Sequence, residues 1–228
     1  MIIVSGIHVE VCRKNVKNMR LYVKPPDGKA VVTAPLSMAY DEIESFVQAK
    51  AGWIKTHVDN YKNIQIKPKQ KFVSGETLIV WGEEYILQVK NGGKNSILLS
   101  GEKAVFTVKK GITAEKREKF VREWYRKLLI TGIEKFLPKW EKKTGLKAEI
   151  WQTKYMKTRW GSCKPKQRKI CLNVQLTKSI PQCLEYVILH ELVHFIERGH
   201  NARFKSLLDK YMPDWREVKK ILNRQILD

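Results

Sequence analysis

His190-Glu191-Leu192-Val193-His194-Phe195-Ile196-Glu197-Arg198-Gly199-His200 holds three of the chain's five histidines. His190 and His194 stand at i and i+4. On an α-helix that spacing puts both imidazoles on one face, one turn apart, where they can share a tetrahedral ion such as Zn²⁺. Glu191 is turned too far around the helix to join them as a ligand, but it is well placed to take a proton from a metal-bound water. The apolar neighbours Leu192, Val193, Phe195 and Ile196 put this helix in a core, where unpartnered histidines would be costly.

His200 tests the arrangement. Zinc–nitrogen bonds of about 2.0–2.1 Å require ligating nitrogens within roughly 3.5 Å of one another. A straight helix from His194 to His200 would carry the latter about 9 Å further along the axis. The helix must therefore stop and the chain must turn back. Gly199 is expected to supply a left-handed stop. His190, His194 and His200 then form a three-nitrogen set with one position open, the catalytic form of a zinc site.

The 228 residues suffice for one large domain or two modest ones. A hydrophobic fraction of 43% with 29% charged residues is ordinary for a globular protein. No apolar run approaches about 18 residues, so no membrane span is expected. The start, Met1-Ile2-Ile3-Val4-Ser5-Gly6, lacks the basic region of a signal peptide. Cys12, Cys163, Cys171 and Cys183 show no metal or redox spacing; unpaired thiols in a reducing cytoplasm are expected.

The formal net charge is +21, and residues 113–228 carry 27 basic against 13 acidic residues. Such a surface attracts anions, although a solvated lysine-rich surface accounts for the same composition. From Ile150 to Leu184 there is no acidic residue, while Lys154, Lys157, Arg159, Lys164, Lys166, Arg168, Lys169 and Lys178 fall inside that interval. This basic segment, 154–178, directly precedes the histidine helix. It is expected to contact an anionic substrate, a nucleotide or a nucleic acid, or else to be a solvated hairpin.

Residues 2–35 read as a β-meander, with Val9 and Val11 alternating against polar neighbours and Pro25-Pro26-Asp27-Gly28 turning a hairpin. Over 41–60, Ile43, Val47, Ala51, Ile54 and Val58 recur at helical spacing, predicting one amphipathic helix. Residues 61–75 read as an exposed connection. Four further strands are expected near 78–81, 85–89, 97–99 and 104–108, as a second antiparallel sheet, and no internal repeat stands out. Thr113 is expected to cap a long helix carrying Phe120, Val121, Trp124, Tyr125, Leu129, Ile133 and Trp140. Short strands follow near 148–151 and 169–173. Pro181 opens the histidine helix, His200 or Asn201 starts the next, and Pro213-Asp214 the last. His8 and His57 read as surface residues, and Cys163 as a buried structural thiol.

Arg159-Trp160-Gly161-Ser162-Cys163, Ile170, Leu172-Asn173, Tyr186-Val187-Ile188-Leu189-His190-Glu191-Leu192-Val193-His194, His200, Phe204, Pro213 and Trp215 together resemble the YgjP-like metallopeptidase domain family. They are more weakly similar to SprT-like and WLM zinc proteases. Metzincins share the histidine spacing but carry glycine where this chain has Glu197. The YgjP-like resemblance implies an α+β fold, with a β-rich region holding one amphipathic helix over 1–112 and a zincin-like catalytic domain over 113–228. It implies His190, His194 and His200 as zinc ligands, Glu191 as general base, and an edge strand near 169–173 that pairs with an extended peptide.

The expected activity is zinc-dependent hydrolysis, with a polypeptide as the leading substrate. Two alternatives stay open: hydrolysis of a nucleotide phosphoanhydride, although no glycine-rich phosphate loop is present, and a protease associated with nucleic acid in the manner of the SprT-like group. Arg159 is one candidate for stabilising the transition state.

Overall fold

Lys29-Ala30-Val31-Val32-Thr33-Ala34-Pro35 is too apolar for a strand with one wet face, and this decides the first sheet. The computed structural model describes residues 1–24, 28–62 (backbone only over 60–62) and 70–225. Strands β1 (Ile2–Val4), β2 (Ile7–Lys14), β3 (Arg20–Lys24) and β4 (Lys29–Pro35) pair in the order β1-β2-β4-β3. The expected meander is therefore wrong. β4 lies inside, parallel to β2 and antiparallel to β3. β3, with Arg20 and Lys24 at its ends, takes the edge, where charge blocks further pairing. Of the proposed Pro25-Pro26-Asp27-Gly28 turn, only Gly28 is among the described residues; its φ is 70°.

The amphipathic stretch after β4 forms two helices rather than one, α1 (Tyr40–Gln48) and α2 (Ala51–Lys62). A tight turn separates them, with Lys50 N–H bonded to the Val47 carbonyl at 3.0 Å. The break re-aims the apolar stripe, so that Ile43, Val47, Ile54 and Val58 all reach one core with Val9, Val32 and Ala34.

Strands β5 (Thr77–Val80), β6 (Glu83–Asn91), β7 (Ser96–Ser100) and β8 (Lys103–Val108) repeat the first plan in the order β5-β6-β8-β7. β6 runs parallel to β8, so this sheet is mixed and not antiparallel as expected. The first hairpin of each sheet turns on two left-handed residues, Ser5-Gly6 (φ 50° and 74°) and Trp81-Gly82 (φ 52° and 89°). That geometry suits the twist of a two-residue hairpin. The inner strands read Lys29-Ala30-Val31-Val32-Thr33 and Lys103-Ala104-Val105-Phe106-Thr107. The chain thus contains a structural repeat that its divergent outer strands conceal.

The chain divides into two compact units, 1–69 and 70–228. The expected division at residue 112 cuts through the second of these. Leu78, Leu87 and Phe106 of the second sheet share one core with Val121, Leu129, Leu184 and Leu192. The binding energy of that apolar layer, and not the helix cap at Thr113, decides which segments belong together.

In the second unit the scaffold of the site is α3 (Ala114–Thr144), β9 (Ile150–Lys154), β10 (Gly161–Lys164), β11 (Lys169–Asn173), α4 (Pro181–Val193), α5 (Ala202–Tyr211) and α6 (Trp215–Asn223). Thr113 Oγ1 accepts from Lys116 N–H at 3.4 Å at the start of α3, and left-handed Gly145 (φ 73°) ends it. Gly132 lets α4 and the Trp81 hairpin approach α3, since a Cβ there would lie 2.8 Å from Leu184 Cδ2 and 3.1 Å from Trp81 Cη2. Glu185 on α4 accepts from Lys139 Nζ at 2.5 Å and from Trp140 Nε1 at 2.9 Å, tying α4 to α3. Among the described residues no helix is long and apolar enough to cross a membrane. The chain has an α+β fold.

Candidate metal centre and its cleft

α4 is buried nearly all round; Leu184, Val187, Ile188, Leu189, Leu192 and Val193 are each at most 3% exposed. It presents His190 and Glu191 where it emerges and ends immediately before His194, which keeps a helical backbone (φ −64°, ψ −12°) as its C-cap. The chain then tightens into a turn, with Phe195 N–H on the Leu192 carbonyl at 2.9 Å and Ile196 N–H on the Val193 carbonyl at 3.1 Å. The helix does stop and return, but not through Gly199. Gly199 is absent from the left-handed residues, and a Cβ on it would meet nothing within 4 Å. Tertiary packing of the α4–α5 connection brings His200 back, helped by the Asn201 cap, whose Oδ1 accepts from Phe204 N–H at 3.0 Å.

His190, His194 and His200 each offer one ligand atom, and these lie within 4.8 Å of one another. His190 Nε2 and His200 Nε2 are 3.1 Å apart. Two neutral imidazole nitrogens that close repel unless a proton or a cation lies between them. Burial, together with the other histidines and Lys219, holds His190 far down at about 3 and lowers His200 as well. Their lone pairs are therefore free at neutral pH, as a metal requires. The donor set fits a divalent ion.

The orientation of the rings has causes that sequence reasoning missed. His194 Nδ1 donates to the Glu197 carbonyl at 2.9 Å, which leaves Nε2 for the cluster. Phe204 is 2% exposed and lies under all three rings, with centroid distances of 4.9 Å to His190 and 4.8 Å to His194 and His200. Tyr186 reaches His190 Nδ1 at 3.5 Å and stacks on Trp215, whose Nε1 donates to Asp209 at 2.8 Å. The one available signal was Phe204 four residues after His200, in the first turn of a helix that opens just behind that histidine.

Glu191 is 5% exposed, and burial pushes its carboxyl up to about 8, against a lowering pull from Arg159. β10 passes directly over it. A Cβ on Gly161 would lie 2.5 Å from Glu191 Oε1 and 2.8 Å from Val187 Cγ1, so only glycine lets the strand come this close. Asn173 holds the segment leading into β10. Its Nδ2 donates to the carbonyls of Met156 and Arg159, both at 2.8 Å, and its N–H to the Trp160 carbonyl at 2.9 Å.

The expected edge strand near 169–173 is β11, which instead lies in the middle of the order β10-β11-β9. It pairs antiparallel with β10 and parallel with β9, because its run Ile170-Cys171-Leu172 is buried on both faces. The edge beside the histidines is β10. Together with α4 it borders a cleft of about 590 Å³ lined by Arg159, Gly161, Ser162, Cys163, Pro165, Lys166, Arg198, the three histidines and Glu191. Cys163 is a half-buried wall of this cleft and not the buried thiol expected. Burial and Glu191 raise it to about 12, so it stays a neutral thiol. His57 lies elsewhere, stacked on Trp53 at 4.0 Å, and His8 is exposed.

A chain of the metallopeptidase zymogen of Methanocaldococcus jannaschii, jannalysin, is similar over 40% of this chain and 95% of its own, at 25% identity and a TM-score of 0.36. The metallopeptidase zymogen of Pyrococcus abyssi, abylysin, is similar over 40% of this chain and 90% of its own, at 21% identity and a TM-score of 0.36. No curated protein matches the chain. The profile of the YgjP-like metallopeptidase domain matches residues 17–225, nearly the whole length, and the chain belongs to that family of metallopeptidases.

Proposed function

We propose that the protein is a zinc peptidase in which His190, His194 and His200 hold the ion and Glu191 is the general base. The observation that carries this is the convergence of three imidazoles whose ligand atoms lie within 4.8 Å of one another, with the buried carboxyl of Glu191 one residue from the first of them. Three nitrogens with coordination left open suit zinc among the common divalent ions. When bound, the ion polarises a carbonyl and acidifies a water. Glu191 Oε1 then accepts the proton of the attacking water and returns it to the leaving amine. Its elevated pKa makes it a competent base, and the charge of a bound ion would draw that value back down.

The β10 edge gives an extended peptide a strand to pair with, which would lay its backbone across the cleft.

The test has two parts. Metal analysis of the purified protein should find stoichiometric zinc, lost in His200→Ala. Casein should be cleaved by the wild type, with activity abolished by a chelator and in Glu191→Gln. Zinc retained in His200→Ala would mean that the third ligand is another residue. Turnover of a nucleotide panel that depends on Glu191, with no peptide cleaved, would replace the peptidase proposal with phosphoanhydride hydrolysis.

A further inference from the structure

Three cations share the cleft with the histidines: Arg159 before β10, Lys166 in the turn after it, and Arg198 on the α4–α5 connection. All three side chains are exposed. Among the described residues none of them has a carboxylate within 4.0 Å. Among the described residues, Glu191 is the only acidic one lining the cleft. A divalent ion on the histidines would add further positive charge. The cavity would then carry several cations against one carboxylate, an imbalance that an anionic guest relieves.

The placement also separates the charges. β10 is only four residues long, with Arg159 two positions before its first residue and Lys166 two positions after its last, so the two cations flank its two ends. No described acidic residue intervenes on that strand or on the turn after it, since positions 150–184 contain none. A peptide pairing with β10 therefore meets a guanidinium near one end and an ammonium near the other, with Arg198 also on the cleft.

We propose that Arg159, Lys166 and Arg198 make the cleft selective for polypeptides that carry Asp or Glu on both sides of the scissile bond. This rests on the peptidase reading. Arginine offers a fork that grips a carboxylate through two hydrogen bonds, whereas Lys166 acts as a mobile point charge. Basic flanking residues would be repelled by the same groups, so the selection works by exclusion as well as by attraction.

The test uses the full-length, zinc-loaded Glu191→Gln protein and three fluorescent dodecapeptides with a central Ala-Leu pair flanked by Glu, by Gln or by Lys. Fluorescence anisotropy should show the Glu peptide binding roughly tenfold more tightly than the Gln peptide, with the difference shrinking as salt is raised. Adding Lys166→Glu and Arg198→Glu should erase that preference and favour the Lys peptide, while zinc content stays the same. Equal affinity for all three peptides, or a preference unchanged by the two reversals, would overturn the proposal. So would a single-stranded oligonucleotide that binds more tightly than the Glu peptide and is released by the same reversals, since the cations would then serve nucleic acid. Wild-type cleavage of the same peptides keeps the two ideas apart. Cutting all three equally defeats the selectivity alone; discriminating binding with no peptide cut defeats the peptidase reading alone.

Discussion

Gly161→Ala adds a single methyl group at the closest contact in the site. The new Cβ would stand 2.5 Å from Glu191 Oε1, 3.0 Å from Glu191 Cδ and 2.8 Å from Val187 Cγ1. Nonbonded contacts become favourable only near about 3.5 Å. Relief therefore takes about 1 Å of movement at the carboxylate and about 0.7 Å at the valine, either by Glu191 swinging away or by β10 lifting. Displacing a catalytic group by about 1 Å costs on the order of 10²-fold in rate. Overpacking of this kind costs about 1–3 kcal/mol, offset by roughly 0.5–1 kcal/mol because alanine is the better strand residue. The melting temperature should therefore fall by several degrees at most. None of the three histidines is touched, so zinc content should be unchanged. Casein hydrolysis by zinc-loaded protein, a thermal melt and metal analysis measure the three effects. Adding Val187→Ala should recover stability but not activity, because the contact with Oε1 persists. A Gly161→Ala protein within threefold of wild-type kcat/KM would refute the claim that β10 positions Glu191.

Other expectations follow from the same contacts. Gly199→Ala should keep its zinc and lie within about 0.5 kcal/mol of wild type by urea denaturation, because a Cβ there meets nothing within 4 Å; loss of zinc would restore a conformational role to that glycine. Phe204→Ala should destabilise by about 3–5 kcal/mol and release zinc faster to a chromogenic chelator, with Phe204→Leu milder on both counts; unchanged release from both variants would mean that the ring does not support the histidines. In metal-free protein, Glu191 keeps its proton up to about 8 when folded but loses it near 4.5 when unfolded. Its contribution is fully present below the lower value, and stability falls as pH rises between the two, by up to about 1.4 kcal/mol per pH unit. His190, depressed to about 3, acts in the opposite sense but only below its ordinary 6.5. Urea titrations from pH 6.5 to 8 thus isolate Glu191, and Glu191→Gln should flatten the slope there; equal slopes in both proteins would contradict the effect of burial.

Features encoded within a few residues of one another were legible from the start. The i, i+4 histidines with an intervening glutamate need only helical geometry, and the caps at Thr113, Pro181 and Asn201 need only the unpaired groups of a helix end. Strand positions followed from alternation, since each strand's own side chains carry it. Strand order did not, because the apolar fullness of β4 and β11 says that they lie inside a sheet but not which neighbours they take. The repeated plan of the two sheets escaped for the same reason: it is preserved in pairing and turn geometry more than in residue identity.

Gly161 and Gly199 show where that boundary runs. As letters they are alike, each beside a residue of the site. Gly199 looked necessary because a helix had to end near it; yet the helix ends at His194, and nothing crowds position 199. Gly161 looked like one glycine of a short motif, but Glu191, thirty positions away in the chain, lies against the place its Cβ would fill. Which ligands are chemically able to hold a metal is a property of residue type and local spacing. Whether they meet, what aims them and which strand covers the base depend on packing between segments distant in sequence, where no local pattern records the contact.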